Sequence, residues 1–248
     1  MKKLLLFLVA SFVAFYDANA QIGLHRNDLS IGVNGGYVMS NVGFTPKVTQ
    51  QMHTGMSAGL TMRYVCEKYF NTVCSIYAEC NYARVGWNER IFTADDQPVI
   101  NPVTGNAETY ARDIDYIQIP VFAHLAWGRE AKGFQFFFQA GPQFGIMLGE
   151  KTLMNYTLAD RNIEDRSNQT CEQETMPVEN KFDYGIAAGL GLEYSVPRLG
   201  HFLLEGRYYY GLGNIYGDSK KDYFAKSNIN NIVVKLTYLF DITRTKKR

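Results

Sequence analysis

Proline, cysteine, histidine and tryptophan are scarce, at 7, 4, 4 and 2 of 248 residues. So little cysteine and proline excludes a disulfide-stapled miniature or a collagen-like chain. Excess charge is also lacking. Lys plus Arg is 25 against 24 Asp plus Glu, a formal net charge of +1. That balance argues against a nucleic-acid partner, which calls for a basic surplus. No interior apolar run is long enough for a spanning helix; the one run of note, Leu4 to Tyr16, falls short. The four histidines, His25, His53, His124 and His201, are scattered, and no zinc-type spacing occurs. No G-x-S-x-G accompanies a Ser–His pair. No catalytic, metal or cofactor site is therefore expected, and no enzyme activity. What is plentiful is glycine (22), tyrosine (17) and phenylalanine (16), a composition too apolar and aromatic for disorder.

The first twenty residues read as an export signal. Lys2 and Lys3 precede the apolar stretch Leu4 to Phe15, and Ala18-Asn19-Ala20 is an A-x-A cleavage site. No cysteine follows Ala20, so a lipoprotein anchor is not expected. Residues 21–248 then form a single domain with 23 basic and 23 acidic residues.

The dominant period of that domain is two, the period of strands. Ile186, Ala188, Leu190, Leu192 and Tyr194 fall on one face, and Gly185, Ala187, Gly189, Gly191 and Glu193 on the other. Phe134, Phe136, Phe138, Phe144, Ile146 and Leu148 repeat the scheme, as do Ile232, Val234, Leu236, Tyr238 and Phe240. The pattern predicts eight strands near 29–40, 54–66, 72–87, 110–126, 133–149, 182–196, 201–213 and 228–241. Connections alternate between short (67–71, 127–132, 197–200) and long (41–53, 88–109, 150–181, 214–227). An even-numbered meander with alternating short turns and long loops is the habit of outer-membrane barrels. The expected fold is all-β, an eight-stranded antiparallel up-and-down transmembrane barrel in the outer membrane of a Gram-negative bacterium.

A secreted lipocalin-like barrel also has eight strands, but its water-facing wall needs many charges. Here the polar face is mostly Gly, Ser, Asn, Gln and Thr, with few charges. Arg63, Glu79, Glu193, Glu205, Arg207 and Lys235, three of each sign, are placed on it. Small residues and balanced charges fit a narrow, ion-paired lumen, so the apolar face is expected to meet lipid. A hairpin centred on Phe70 sets Arg63 opposite Tyr77 and Thr61 opposite Glu79, making Arg63 and Glu79 diagonal neighbours within pairing reach. Trp87, Tyr82, Tyr110 and Tyr184 are expected in an aromatic belt at the long-loop side. Tyr64, Trp127, Tyr194 and Phe202 are expected in a second belt at the short-turn side. Asp113 and Asp115 are expected at the lumen mouth. The long connection from Glu150 to Lys181, densely charged at Arg161 to Arg166, is expected outside the cell.

Cys66 and Cys74 flank the first short turn. They are either a cross-strand disulfide or two small apolar residues on the lipid face. The stretches Ser40 to Lys47, Arg63 to Phe70 and Ala78 to Glu89, with Tyr116-Ile-Gln-Ile-Pro-Val121, resemble the PorT-like outer-membrane β-barrel family. The resemblance implies an eight-stranded barrel and extends the expectation to an accessory role in type IX protein secretion. It brings no catalytic residues. The chain is expected to be monomeric, with outer-membrane lipid around it and a protein partner met through the long loops or the periplasmic side. The alternative is a small pore or transporter, although an eight-stranded interior is just filled by side chains.

Overall fold

The structure is a computed structural model that describes residues 24–217 and 222–245. The expected signal segment and the last three basic residues lie outside the described residues. Nine strands follow one another: β1 (Leu24–Thr45), β2 (Gln50–Gln51), β3 (His53–Tyr69), β4 (Thr72–Glu89), β5 (Tyr110–Gly128), β6 (Gly133–Met154), β7 (Phe182–Val196), β8 (Gly200–Gly211) and β9 (Lys226–Thr243). β2 is a two-residue spur on β4. The other eight pair antiparallel with their chain neighbours, and β1 pairs with both β3 and β9. Among the described residues the ring of eight long strands is therefore closed, and each of them has a neighbour on both sides. The eight long strands run from 12 to 22 residues, beyond the ~9–11 needed to cross a bilayer, so the wall projects past it.

Strand parity sorts the side chains. On β7, Leu190 and Leu192 are about half exposed and face outward, while Ala187 and Glu193 are wholly buried. The outward residues of the other long strands are also large and apolar, among them Val33, Leu60, Ile76, Phe138, Leu204 and Leu236. An apolar outer band and a polar interior distinguish a membrane barrel from a water-soluble one. Tyr82 and Tyr184 stand on the outer wall toward the long loops, and Trp127, Tyr194 and Phe202 stand on it toward the short turns. Trp87 and Tyr110 do not join the upper belt. Both are buried inside the barrel, because Trp87 shares its parity with Glu79 and Tyr110 shares its parity with Arg112. Asp113 and Asp115 have the opposite parity to buried Arg112 and Ile114, so they stand on the outer wall rather than at the lumen mouth. There Asp115 binds Arg84 (2.9 Å) and accepts from the Tyr82 hydroxyl (2.7 Å), and Asp113 lies 3.4 Å from His53.

The first hairpin closes with Tyr69 opposite Thr72, and Phe70 takes a left-handed φ of 48° in its turn. Arg63 is opposite Tyr77, and Thr61 opposite Glu79. Between them and the turn a bulge at Cys66 shifts the register, so that Glu67 rather than Cys66 faces Cys74. Both cysteines are free thiols. Of the two readings left open for them, the cross-strand disulfide is not formed here, because the extra residue takes Cys66 out of the ladder.

The lumen is fuller than a face of small polar residues suggests. Tyr77, Phe122, Phe137 and Tyr209 fill its middle with Leu203 and Leu239. Gly191 makes room for one of them: a Cβ there would meet the Phe137 ring at 2.5 Å and the Leu204 carbonyl oxygen at 2.2 Å.

Candidate functional site

Three layers stack along the barrel axis. The middle layer is ionic. The Glu79 carboxylate, on β4, accepts both Arg207 terminal nitrogens at 2.9 and 3.0 Å, the Asn81 amide at 2.7 Å, and the Lys235 ammonium. Glu205 accepts Arg207 Nε at 2.7 Å and the Gln139 amide at 2.6 Å, with Lys235 at 3.5 Å. Arg207 also lies over the Phe122 ring, 4.4 Å from its centroid. Glu205 and Lys235 are direct neighbours across β8 and β9, whereas Glu79 comes from the far wall. The pairs thus span the lumen and close it. All these groups are nearly inaccessible to water, so the charges persist only because each is matched.

Arg63 does not pair with Glu79. It reaches Glu193 at 2.6 Å, below the Glu79 group on the short-turn side. Glu193 also holds His201 Nδ1 at 2.6 Å, and His201 Nε2 lies 3.2 Å from Asp241, which accepts from Ser30 at 2.6 Å. The six residues singled out from sequence therefore fall into two groups. Glu79, Glu205, Arg207 and Lys235 form the first. Arg63 and Glu193 form the second, with His201 and Asp241, which sequence reasoning missed. Their signal was present: His201 has the parity of Glu205, and Asp241 that of Lys235.

Ser195 Oγ lies 2.8 Å from His201 Nδ1, so serine, histidine and aspartate stand in line. Acyl transfer needs the imidazole free to take the serine proton and amide donors aimed at an oxyanion. Here Nδ1 is shared with Glu193, and the Ser195 backbone faces His201 and Gly133 in the ladder. The arrangement serves as an ion-pair network.

The third layer is a cap built by the long connections. Phe44, Trp87, Tyr110, Tyr156, Tyr216 and Phe224 pack there with Val48, Ile91, Val99, Val178 and Ile215. Phe44 meets Trp87 edge-on at 5.3 Å and Phe224 at 4.9 Å. Arg112 ties wall to cap: it donates to Glu150 at 3.0 Å and to the Met176 carbonyl at 2.7 Å. Within the densely charged segment, Arg166 is buried rather than exposed. It bridges Glu174 and Glu108, the latter at 2.7 Å, and donates to Cys171 Sγ at 3.2 Å. Burial opposes the Arg166 charge, but the two carboxylates outweigh it and hold the guanidinium protonated above its ordinary range. Burial pushes the Cys171 thiol up. Ile100, Val103 and Leu158 stand exposed on the cap's surface.

The family model for the outer membrane protein beta-barrel domain matches residues 19–217. Among solved structures, the chain is similar to the attachment invasion locus protein Ail of Yersinia pestis. Identity is 14% over 86% of this chain and 99% of that one, with a TM-score of 0.38. It is similar to Neisserial surface protein A (9% identity, 85% and 95% covered, TM-score 0.42). It is also similar to OprG from Pseudomonas aeruginosa (14% identity, 88% and 98% covered, TM-score 0.43). No curated protein matches the chain.

Proposed function

We propose, from the premise that the chain belongs to the outer membrane protein beta-barrel domain family, that it works as a sealed barrel presenting a folded loop cap as an interaction surface. The protein is an outer-membrane barrel, and its apolar wall meets lipid. The long loops take the outer side, as is usual for such barrels. The observation that carries the reading is the pairing of a closed lumen with an ordered cap. Charges crossing from Glu79 to Arg207 and Lys235 block the axis, while the loops form a packed body with its own ionic centre. Rigid scaffolds carrying shaped loops are suited to recognition. A small pore would need the axis open, and nothing in the ionic layer favours that. A part in type IX secretion rests on the sequence resemblance alone.

Refolded protein in planar bilayers should show no steady openings; sustained conductance by the intact chain would favour the pore. Val103→Cys should react with a membrane-impermeant maleimide on whole cells. Labelling only after the outer membrane is broken would put the cap in the periplasm.

A further inference from the structure

The cations at the short-turn end fall into two sets. Those on the side of β9, β1 and β3 are matched: Arg26 and Lys68 bind Glu130, and Arg244 binds Asp241. Those in the two turns on the other side of the ring are not. Arg129 and Lys132 stand in the turn between β5 and β6, and Arg198 in the turn between β7 and β8. All three are exposed. Among the described residues, none of their side chains has a hydrogen bond or an ion pair. The carboxylate between Arg129 and Lys132, that of Glu130, is already held by Arg26 and Lys68. An arc of wall from β5 to β8 therefore ends in three unmatched positive charges.

The register sets the two turns side by side. Where β6 leaves the first and β7 enters the second, Gly133 is opposite Ser195 and Phe134 opposite Tyr194. Just inside the turns the outer wall is aromatic. Trp127 stacks on Phe136 at 6.1 Å, Phe134 meets Tyr194 at 4.7 Å, and Phe202 is opposite Tyr194 on β8. All five rings are exposed on the outer wall. Rings of this kind mark the level where hydrocarbon gives way to headgroups. The three cations lie a few residues further out, at headgroup depth.

We propose that the arc from β5 to β8 binds the headgroup of an anionic phospholipid in the leaflet that meets the short turns. What touches a barrel wall at that depth is lipid, so the occupant is a headgroup with its acyl chains on the rings beneath. A zwitterionic headgroup brings its own ammonium to three unmatched cations, whereas an anionic one brings net negative charge. Each Lys or Arg beside an anionic lipid surface is worth about five-fold in affinity. Which leaflet this is rests on the orientation proposed above; the binding itself does not.

The protein's two tryptophans supply the test. Trp127 lies on the arc, whereas Trp87 is buried inside the barrel, so quenching by a brominated lipid reports on the neighbours of the arc. The refolded barrel is placed in phosphatidylcholine vesicles containing brominated phosphatidylglycerol or, at the same fraction, brominated phosphatidylcholine. At low salt, phosphatidylglycerol should be preferred around Trp127 by at least about five-fold, the worth of one cation. The triple variant Arg129→Gln, Lys132→Gln, Arg198→Gln should be quenched equally by both lipids. A charge-matched triple of exposed lysines at the long-loop end, Lys47→Gln, Lys151→Gln, Lys181→Gln, should keep the parent's preference. Should the first triple fail to fold, judged by its heat-modifiable band, the double variant Lys132→Gln, Arg198→Gln takes its place and should lose most of the preference. Equal quenching of the parent by both lipids would overturn the proposal. So would a preference that survives loss of the turn cations, or one that the long-loop triple loses as fully, which would make it an effect of overall charge. A barrel shown by labelling on cells to point the other way would move the site to the other leaflet and leave these results as they are.

Discussion

Arg63 and Glu79 sit one diagonal step apart on neighbouring strands, yet each takes its partners from elsewhere. The register placed both on the lumen face, and it is the register observed. It could not show that a long side chain in a narrow barrel reaches across the axis as easily as along the wall. Glu193 is 130 residues away in sequence and four strands away in the ring. A double-mutant cycle on Arg63 and Glu193, by urea unfolding in lipid vesicles, should show clear coupling. A cycle on Arg63 and Glu79 should show almost none. Arg63→Met alone should cost about 3–5 kcal/mol, because it leaves a buried carboxylate with His201 and the Ser195 hydroxyl but no arginine beside it. Equal coupling in the two cycles would contradict the observed grouping.

Strands were the legible elements. The eight expected spans all end within five residues of β1 and β3 to β9, and the span 182–196 coincides with β7, because period two, glycine content and turn spacing act together. Errors arose where position along a strand was weighed above parity. Trp87 and Tyr110 look like interface residues by place, but alternation from Glu79 and Arg112 turns both inward. The bulge at Cys66 left no trace in the pattern, since it lies next to a turn where register has few rungs to correct it. On β7 the alternation is unbroken, and it supplies a direct measurement. Leu190→Arg should destabilise the barrel in bilayers by about 2–4 kcal/mol if the residue stands near mid-membrane. Normal stability of that variant would move Leu190 out of the hydrocarbon.

At the scale of the whole molecule, the cap was the part that sequence could not show. Its ionic centre joins Glu108, Arg166 and Glu174 from two different loops. No periodicity links such residues; only the closed barrel beneath brings them together. In sequence the densely charged segment reads only as part of a long outer connection, and burial of Arg166 makes it a structural post. Arg166→Met should leave Glu108 without its cation and Glu174 with Arg161 alone. Trypsin should then cut between residues 155 and 181 much faster than in the parent, while the barrel keeps its heat-modifiable band on gels. Cleavage at the parent's rate would show that aromatic packing alone holds the cap.

The seam between β1 and β9 carries a consequence for how the chain is threaded. Seventeen rungs join the first strand to the last, and Asn27 and Asp28 each exchange a hydrogen bond with Thr245. The molecule is a loop in every respect but one missing covalent link, so its order along the chain is nearly arbitrary. A permuted gene that bridges residues 24 and 245 with a short linker, and opens the chain at the Pro197–Leu199 turn, should yield the same barrel. Loss of the final strand is a different matter: β1 and β8 would each lose a neighbour at once, and every other strand would belong to an open, curling sheet with two bare edges in lipid.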